Sequence, residues 1–127
     1  MTGLPTPWQL PFELAWEALR AGSRPVGAVP YDPEGHVVAA GRNRSRETDA
    51  PPGQPAGTDL AHAEINALAQ LPAGRRHPGH RLHTTLEPCL PCGSALIHAH
   101  VPQVGGAIGA RWARRGRCGR SPCSVGC

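Results

Sequence analysis

Two short motifs constrain this 127-residue chain more than anything else in it: His62-Ala63-Glu64, and further on Pro88-Cys89-Leu90-Pro91-Cys92. Between them they offer one imidazole, two thiols and one carboxylate. His62, Cys89 and Cys92 make a three-ligand set for a zinc ion, and Glu64 is an acid beside it that need not touch the metal. A structural zinc site is closed by four protein ligands, whereas a catalytic one keeps a position open. The pattern therefore predicts a Zn2+ cofactor, with Glu64 as the catalytic proton carrier. It also constrains folding, because residue 62 and residues 89 and 92 must meet around one ion. Taken singly, each motif is weak. H-x-E occurs on ordinary exposed helices, and P-C-x-x-C also serves as a redox pair or as half of a structural zinc site. The two in this order, on the local structures that follow, are far more specific.

Thr58 or Asp59 suits a helix N-cap, and the Ala/Leu-rich run from Ala61 to Gln70 suits the helix, which ends before Leu71-Pro72. Residues 81–86 read as a short strand and Cys92 to His100 as a second helix, with the cysteines at its mouth. Two helix N-termini then converge on the metal, and their partial positive charge favours thiolate over thiol. Zinc lowers the pKa of its water toward ~7, which suits hydrolysis at neutral pH. Upstream, Trp8 to Ala21 reads as a helix with Pro11 in its first turn and a core stripe of Phe12, Ala15, Trp16 and Leu19. Residues 25–31 and 36–40 read as paired strands around an Asp32-Pro33-Glu34-Gly35 turn. Residues 42–57 form a polar loop that borders the site. Residues 101–108 complete a βαβ unit with 82–86, which predicts parallel pairing.

All thirteen basic residues are arginine, and five of them fall in residues 111–127. The remaining 110 residues carry eight Arg against nine Asp and Glu, so the basic character belongs to the tail. No stretch approaches the ~20 apolar residues of a membrane span. Met1-Thr2-Gly3-Leu4-Pro5 lacks the basic and apolar regions of an export signal. A cytoplasmic setting, which keeps the thiols reduced, is expected.

With these elements placed, the chain resembles the cytidine/deoxycytidylate deaminase superfamily, in particular the branch of bacterial tRNA-specific adenosine deaminases and their nucleoside and guanine deaminase relatives. The resemblance runs through most of residues 12–110. It is carried by Pro25-Val26-Gly27-Ala28-Val29, Gly41-Arg42-Asn43-Arg44, His62-Ala63-Glu64, Thr85-Leu86-Glu87-Pro88-Cys89 and Cys92-Gly93-Ser94-Ala95-Leu96-Ile97-His98. H-x-E followed by P-C-x-x-C is the signature of zinc nucleobase deaminases. The resemblance implies an α/β fold, a three-layer α/β/α mixed sheet, in a deaminase domain over 8–110. It implies His62, Cys89 and Cys92 as zinc ligands and Glu64 as proton shuttle. Asn43 is implied to bind sugar or base, Val26, Gly27 and Ala28 to line the pocket floor, and backbone groups around Ala63 and Cys89 to frame the reacting amine. The implied activity is hydrolytic removal of an exocyclic amine from a nucleobase in a nucleoside, nucleotide or free base. Deamination of a tRNA wobble adenosine is one alternative, and a non-catalytic zinc-binding remnant is another. The partner is then a small-molecule nucleoside or base, or a tRNA, with no membrane involved and with room for a homodimer.

Three departures stand out. Pro30 falls within an apolar strand and should sit at a strand end or bulge. Pro91 lies between the cysteines, where the first turn of a helix tolerates it. Beyond Ala110 the family pattern stops, so the fold is expected to be C-terminally truncated. Residues 111–127 read as a disordered Arg-rich tail, with an RNA-binding arm or a metal held by Cys118, Cys123 and Cys127 as alternatives.

Overall fold

The computed structural model describes residues 3–108. The expectations for the 111–127 tail and its three cysteines lie outside the described residues. The elements run α1 (Thr6–Arg20), β1 (Gly27–Tyr31), β2 (Gly41–Arg42), α2 (Ala63–Leu68), β3 (Arg81–Leu86), α3 (Leu90–His98) and β4 (Gln103–Ile108). They build one four-stranded sheet in the order β2-β1-β3-β4. β1 is antiparallel to both neighbours, and β3 and β4 are parallel across the α3 crossover, as the βαβ reading requires. No helix among the described residues is long and apolar enough to cross a membrane.

Strand alternation sorts the helices onto two faces. A Cβ at Gly27 would collide with Leu14 and Ala15 of α1, at 2.8 and 2.9 Å. On the opposite face, Ala28 and Leu82 pack with Ala63, Ala67, Leu68 and Leu96 of α2 and α3. The result is three layers, α/β/α. Close approach depends on small residues. A Cβ at Gly41 would stand 2.5 Å from the Ala63 carbonyl oxygen and 2.9 Å from the Asn66 carbonyl carbon. Both are main-chain atoms that cannot step aside.

α1 begins two residues earlier than its sequence suggests, which places Pro11 in its second turn. Pro11 has no N–H to give the carbonyl of Pro7, four residues back. The Tyr31 hydroxyl donates to that oxygen instead, at 3.0 Å. The buried face of α1 is Pro11, Ala15 and Ala18, so the expected stripe is met at Ala15 and in part at Phe12, but not at Trp16 and Leu19. Trp16 and Leu19 stay half exposed, because small residues are what lets the helix sit close over Gly27.

The expected 36–40 strand also needs correction. That segment makes one isolated bridge, Tyr31 to Val37, and regular pairing resumes only at Gly41–Arg42. Pro30 supplies the physical reason. It is buried inside β1 and pairs with Leu82 on the β3 side. Toward the 36–40 segment it offers no N–H, only a carbonyl that accepts from Val38 at 2.9 Å. The turn before it is as expected: Asp32 Oδ1 accepts from the N–H groups of Glu34 and His36. Beyond it, α2 is stitched to the edge strand by side-chain amides. Asn66 Nδ2 donates to the Arg42 carbonyl at 2.9 Å and Gln70 Nε2 to the Ala40 carbonyl at 2.6 Å.

Candidate metal centre

The zinc helix is shorter than its sequence suggests, and His62 is its N-cap; Thr58 and Asp59 lie outside it. Cys89 is likewise the N-cap of α3, with Cys92 in the first turn and Pro91 accommodated beside it. Neither cap residue makes a side-chain capping hydrogen bond. Both side chains turn instead toward each other. His62 Nδ1 lies 3.4 Å from Cys89 Sγ and 3.3 Å from Cys92 Sγ, and the two sulfurs are 3.3 Å apart. One imidazole nitrogen and two sulfurs at such spacing are within reach of a single ion, and N and S donors are what zinc takes. Among the described residues no further His, Cys, Asp or Glu joins this group. The electrostatics also fit a cation. Cys92 is fully buried, and its thiol is pushed far above the ordinary range by burial first, then by the charge of Glu64 and the neighbouring Cys89. A divalent cation reverses that penalty and makes the thiolate the favoured form.

Glu64 is buried at 4% exposure. Its Oε2 lies 3.5 Å from Cys92 Sγ, and its Oε1 lies 2.9 Å from the Thr84 hydroxyl. That hydroxyl is equally close, 2.9 Å, to the Leu86 carbonyl oxygen, and its single proton can serve only one of them at a time. Thr84 went unnoticed in the sequence. The available signal was parity, since on β3 it shares the Leu82 face that packs on α2.

These groups open onto a cavity of about 210 Å³ lined by Val26, Asn43, His62, Glu64 and Cys89, with Arg24, Leu86 and Glu87 completing the wall. The volume lies below the ~300–1,000 Å³ of drug-sized sites. Asn43 and Val26 are thus among the residues that line this cavity. Gly27, Ala28 and Ala63 lie behind the lining. Gly27 donates its N–H to Thr85 Oγ1 at 3.2 Å, while Ala28 and Ala63 are core residues. A larger cleft of about 490 Å³ runs alongside, between α1 and the end of β3, past Phe12, Trp16, Leu19 and Leu86. It is almost wholly apolar, and Arg24 is its one charged lining residue among the described residues. Asp32, Glu34 and His36 form a second group of potential donors, but they sit on an exposed turn whose Asp32 oxygens already accept hydrogen bonds.

The family model for the cytidine and deoxycytidylate deaminase zinc-binding region matches residues 8–107. The chain is 36% identical over 94 residues to a tRNA(Ile)-lysidine synthase of Deinococcus radiodurans, a match covering 72% of this chain and 15% of that protein. It is 34% identical over 111 residues to a tRNA-specific adenosine deaminase of Haemophilus influenzae, covering 79% of this chain and 60% of that one. It thus spans less than two thirds of either relative. The fold is similar to that of guanine deaminase from Bacillus subtilis, with a TM-score of 0.68 and 25% identity over 88% of this chain and 69% of that chain.

Proposed function

Because the chain belongs to the cytidine and deoxycytidylate deaminase zinc-binding family, we propose that it is a hydrolytic deaminase acting on the exocyclic amine of a nucleobase, in a nucleoside, nucleotide or free base. The observation that carries this reading is the grouping of His62, Cys89 and Cys92 beside the buried Glu64, with no fourth donor among the described residues, at a cavity that His62, Cys89 and Glu64 line. His62, Cys89 and Cys92 would hold zinc, which when bound lowers the pKa of water toward ~7. Glu64 takes a proton from the water that adds to the amine-bearing carbon. It passes that proton to the ring nitrogen, then takes the second from the hydroxyl so formed, which becomes the carbonyl, and gives it to the amine, which leaves as ammonia. Asn43 and Val26 bind the base or sugar, while Gly27, Ala28 and Ala63 hold the floor and the amine end in place from behind. Residues 8–110 are the unit that performs this chemistry. Thiol ligands suit a reducing, cytoplasmic setting.

A second reading, deamination of a tRNA wobble adenosine, is favoured by the match to a tRNA-specific adenosine deaminase and by exposed Arg24 at the cavity wall. An ammonia-release assay on the zinc-loaded protein decides between them, run over bases, nucleosides, nucleotides and a tRNA anticodon stem. Release from a small compound supports the first reading. Release from the stem alone supports the second. No release from any of them leaves a zinc-binding remnant and overturns both.

A further inference from the structure

The carboxamide of Asn43 is oriented by its own loop, and the orientation has chemical content. Asn43 is buried, and its N–H donates to the Val26 carbonyl at 3.0 Å, which fixes its main chain where β2 ends against β1. Its Oδ1 accepts twice from Ser45, from the backbone N–H at 3.0 Å and from the hydroxyl at 2.7 Å. A backbone N–H can only donate, so the amide oxygen must face Ser45; the flipped amide would set N–H against N–H. Asn43 Nδ2 makes no hydrogen bond among the described residues, yet Asn43 lines the cavity with His62 and Glu64. The loop is braced from outside. Glu47 collects the guanidinium groups of Arg42, at 2.8 and 3.0 Å, and of Arg44, at 3.2 Å, the residues on either side of Asn43. All three of these side chains are largely sheltered from solvent, where charge-assisted bonds hold geometry best.

We propose that Ser45 is a positioning residue that holds Asn43 with its amide N–H donors facing the cavity. The bound group must then present a hydrogen-bond acceptor at that point: a ring nitrogen, a carbonyl oxygen or a sugar oxygen. A donor there would face a donor and be rejected. The inference rests on the reading of this cavity as the deaminase substrate site, and its test separates the two.

The chain has two asparagines, Asn43 and Asn66. Full-length, zinc-loaded protein labelled with 15N-asparagine therefore gives two side-chain amide signals, with Asn66, tied to the Arg42 carbonyl, as internal reference. In the wild type the Asn43 amide should be as ordered as that of Asn66 by heteronuclear NOE. Ser45→Ala should loosen Asn43 and leave Asn66 unchanged, and Ser45→Thr, which keeps the hydroxyl, should restore it. An Asn43 amide equally ordered in Ser45→Ala overturns the proposal. For whichever compound the ammonia assay turns over, Ser45→Ala should raise KM about tenfold, the size of one hydrogen bond, with kcat within about twofold. Ser45→Thr should stay near wild type. An unchanged KM, or a loss of kcat at constant KM, also overturns it. If no compound is turned over, the function reading fails, while the amide order still decides whether Ser45 holds Asn43.

Discussion

Cys92 carries the sharpest conflict among the individual residues. Burial, the Glu64 charge and the Cys89 sulfur all favour its neutral thiol, which is a poor ligand. Metal uptake must therefore expel protons, and zinc affinity should rise with pH. We expect Cys89→Ser to take zinc from about one per chain to a small fraction, read by elemental analysis; retention of full zinc would remove Cys89 from the ligand set. Glu64→Gln should keep the metal and lose turnover by about 10²–10⁴-fold, and loss of zinc from this variant would make Glu64 structural instead. The grouping of His62, Cys89 and Cys92, with Glu64 beside it, was legible in the sequence because the two motifs carry the spacing that one ion requires. Thr84 and Ser45 were not, because a hydroxyl acquires its partner only once strand register and loop path are fixed. Gly27 and Ala28 were legible as important to the region, but alternation turned their side-chain positions toward α1 and the core.

The elements show where the site is in competition with stability. α2 and α3 both begin on a metal donor where a Ser, Thr, Asp or Asn would cap the helix better by about 1 kcal/mol. Cys89→Ser should thus change sign with the metal. In zinc-free protein we expect its Tm to rise by about 3 °C, and in zinc-saturated buffer to fall below that of the wild type. Equal shifts in both conditions would mean that the cap position has no cost. The bond from Tyr31 to the Pro7 carbonyl repairs the helix where Pro11 cannot, so Tyr31→Phe should lower stability by about 1 kcal/mol in urea unfolding. The existence of the three helices was legible from their apolar runs, but their starts were not, since Thr58 and Asp59 lie outside α2 and α1 begins at Thr6. The 36–40 strand failed because Val37 and Val38 looked like strand residues while the missing donor lay at Pro30, on the facing strand.

For the whole molecule, the sheet and its two helical faces were legible because a βαβ unit admits few arrangements. The buried face of α1 was not, since a sequence does not show that Gly27 asks for alanines rather than tryptophan above it. One pH response belongs at this scale. His83 is wedged edge-on between Trp8 and Tyr31, and its Nδ1 is buried with no hydrogen-bond partner among the described residues. Burial, with the Arg81 charge, lowers its pKa below 6.5. The unfolded chain then binds that proton more readily, so stability is intact above about pH 6.5 and is lost as pH falls through it. His83→Phe should flatten the acid side of the urea-midpoint profile relative to wild type; an unchanged slope would exonerate His83. The side-chain amides that tie α2 to β2 have a different consequence. Among the described residues β2 is the end of the sheet, and the carbonyls of Ala40 and Arg42 are occupied by Gln70 and Asn66. A passing chain finds those acceptors already taken, so this border of the sheet is a poor template for fibrils or for unwanted strand exchange.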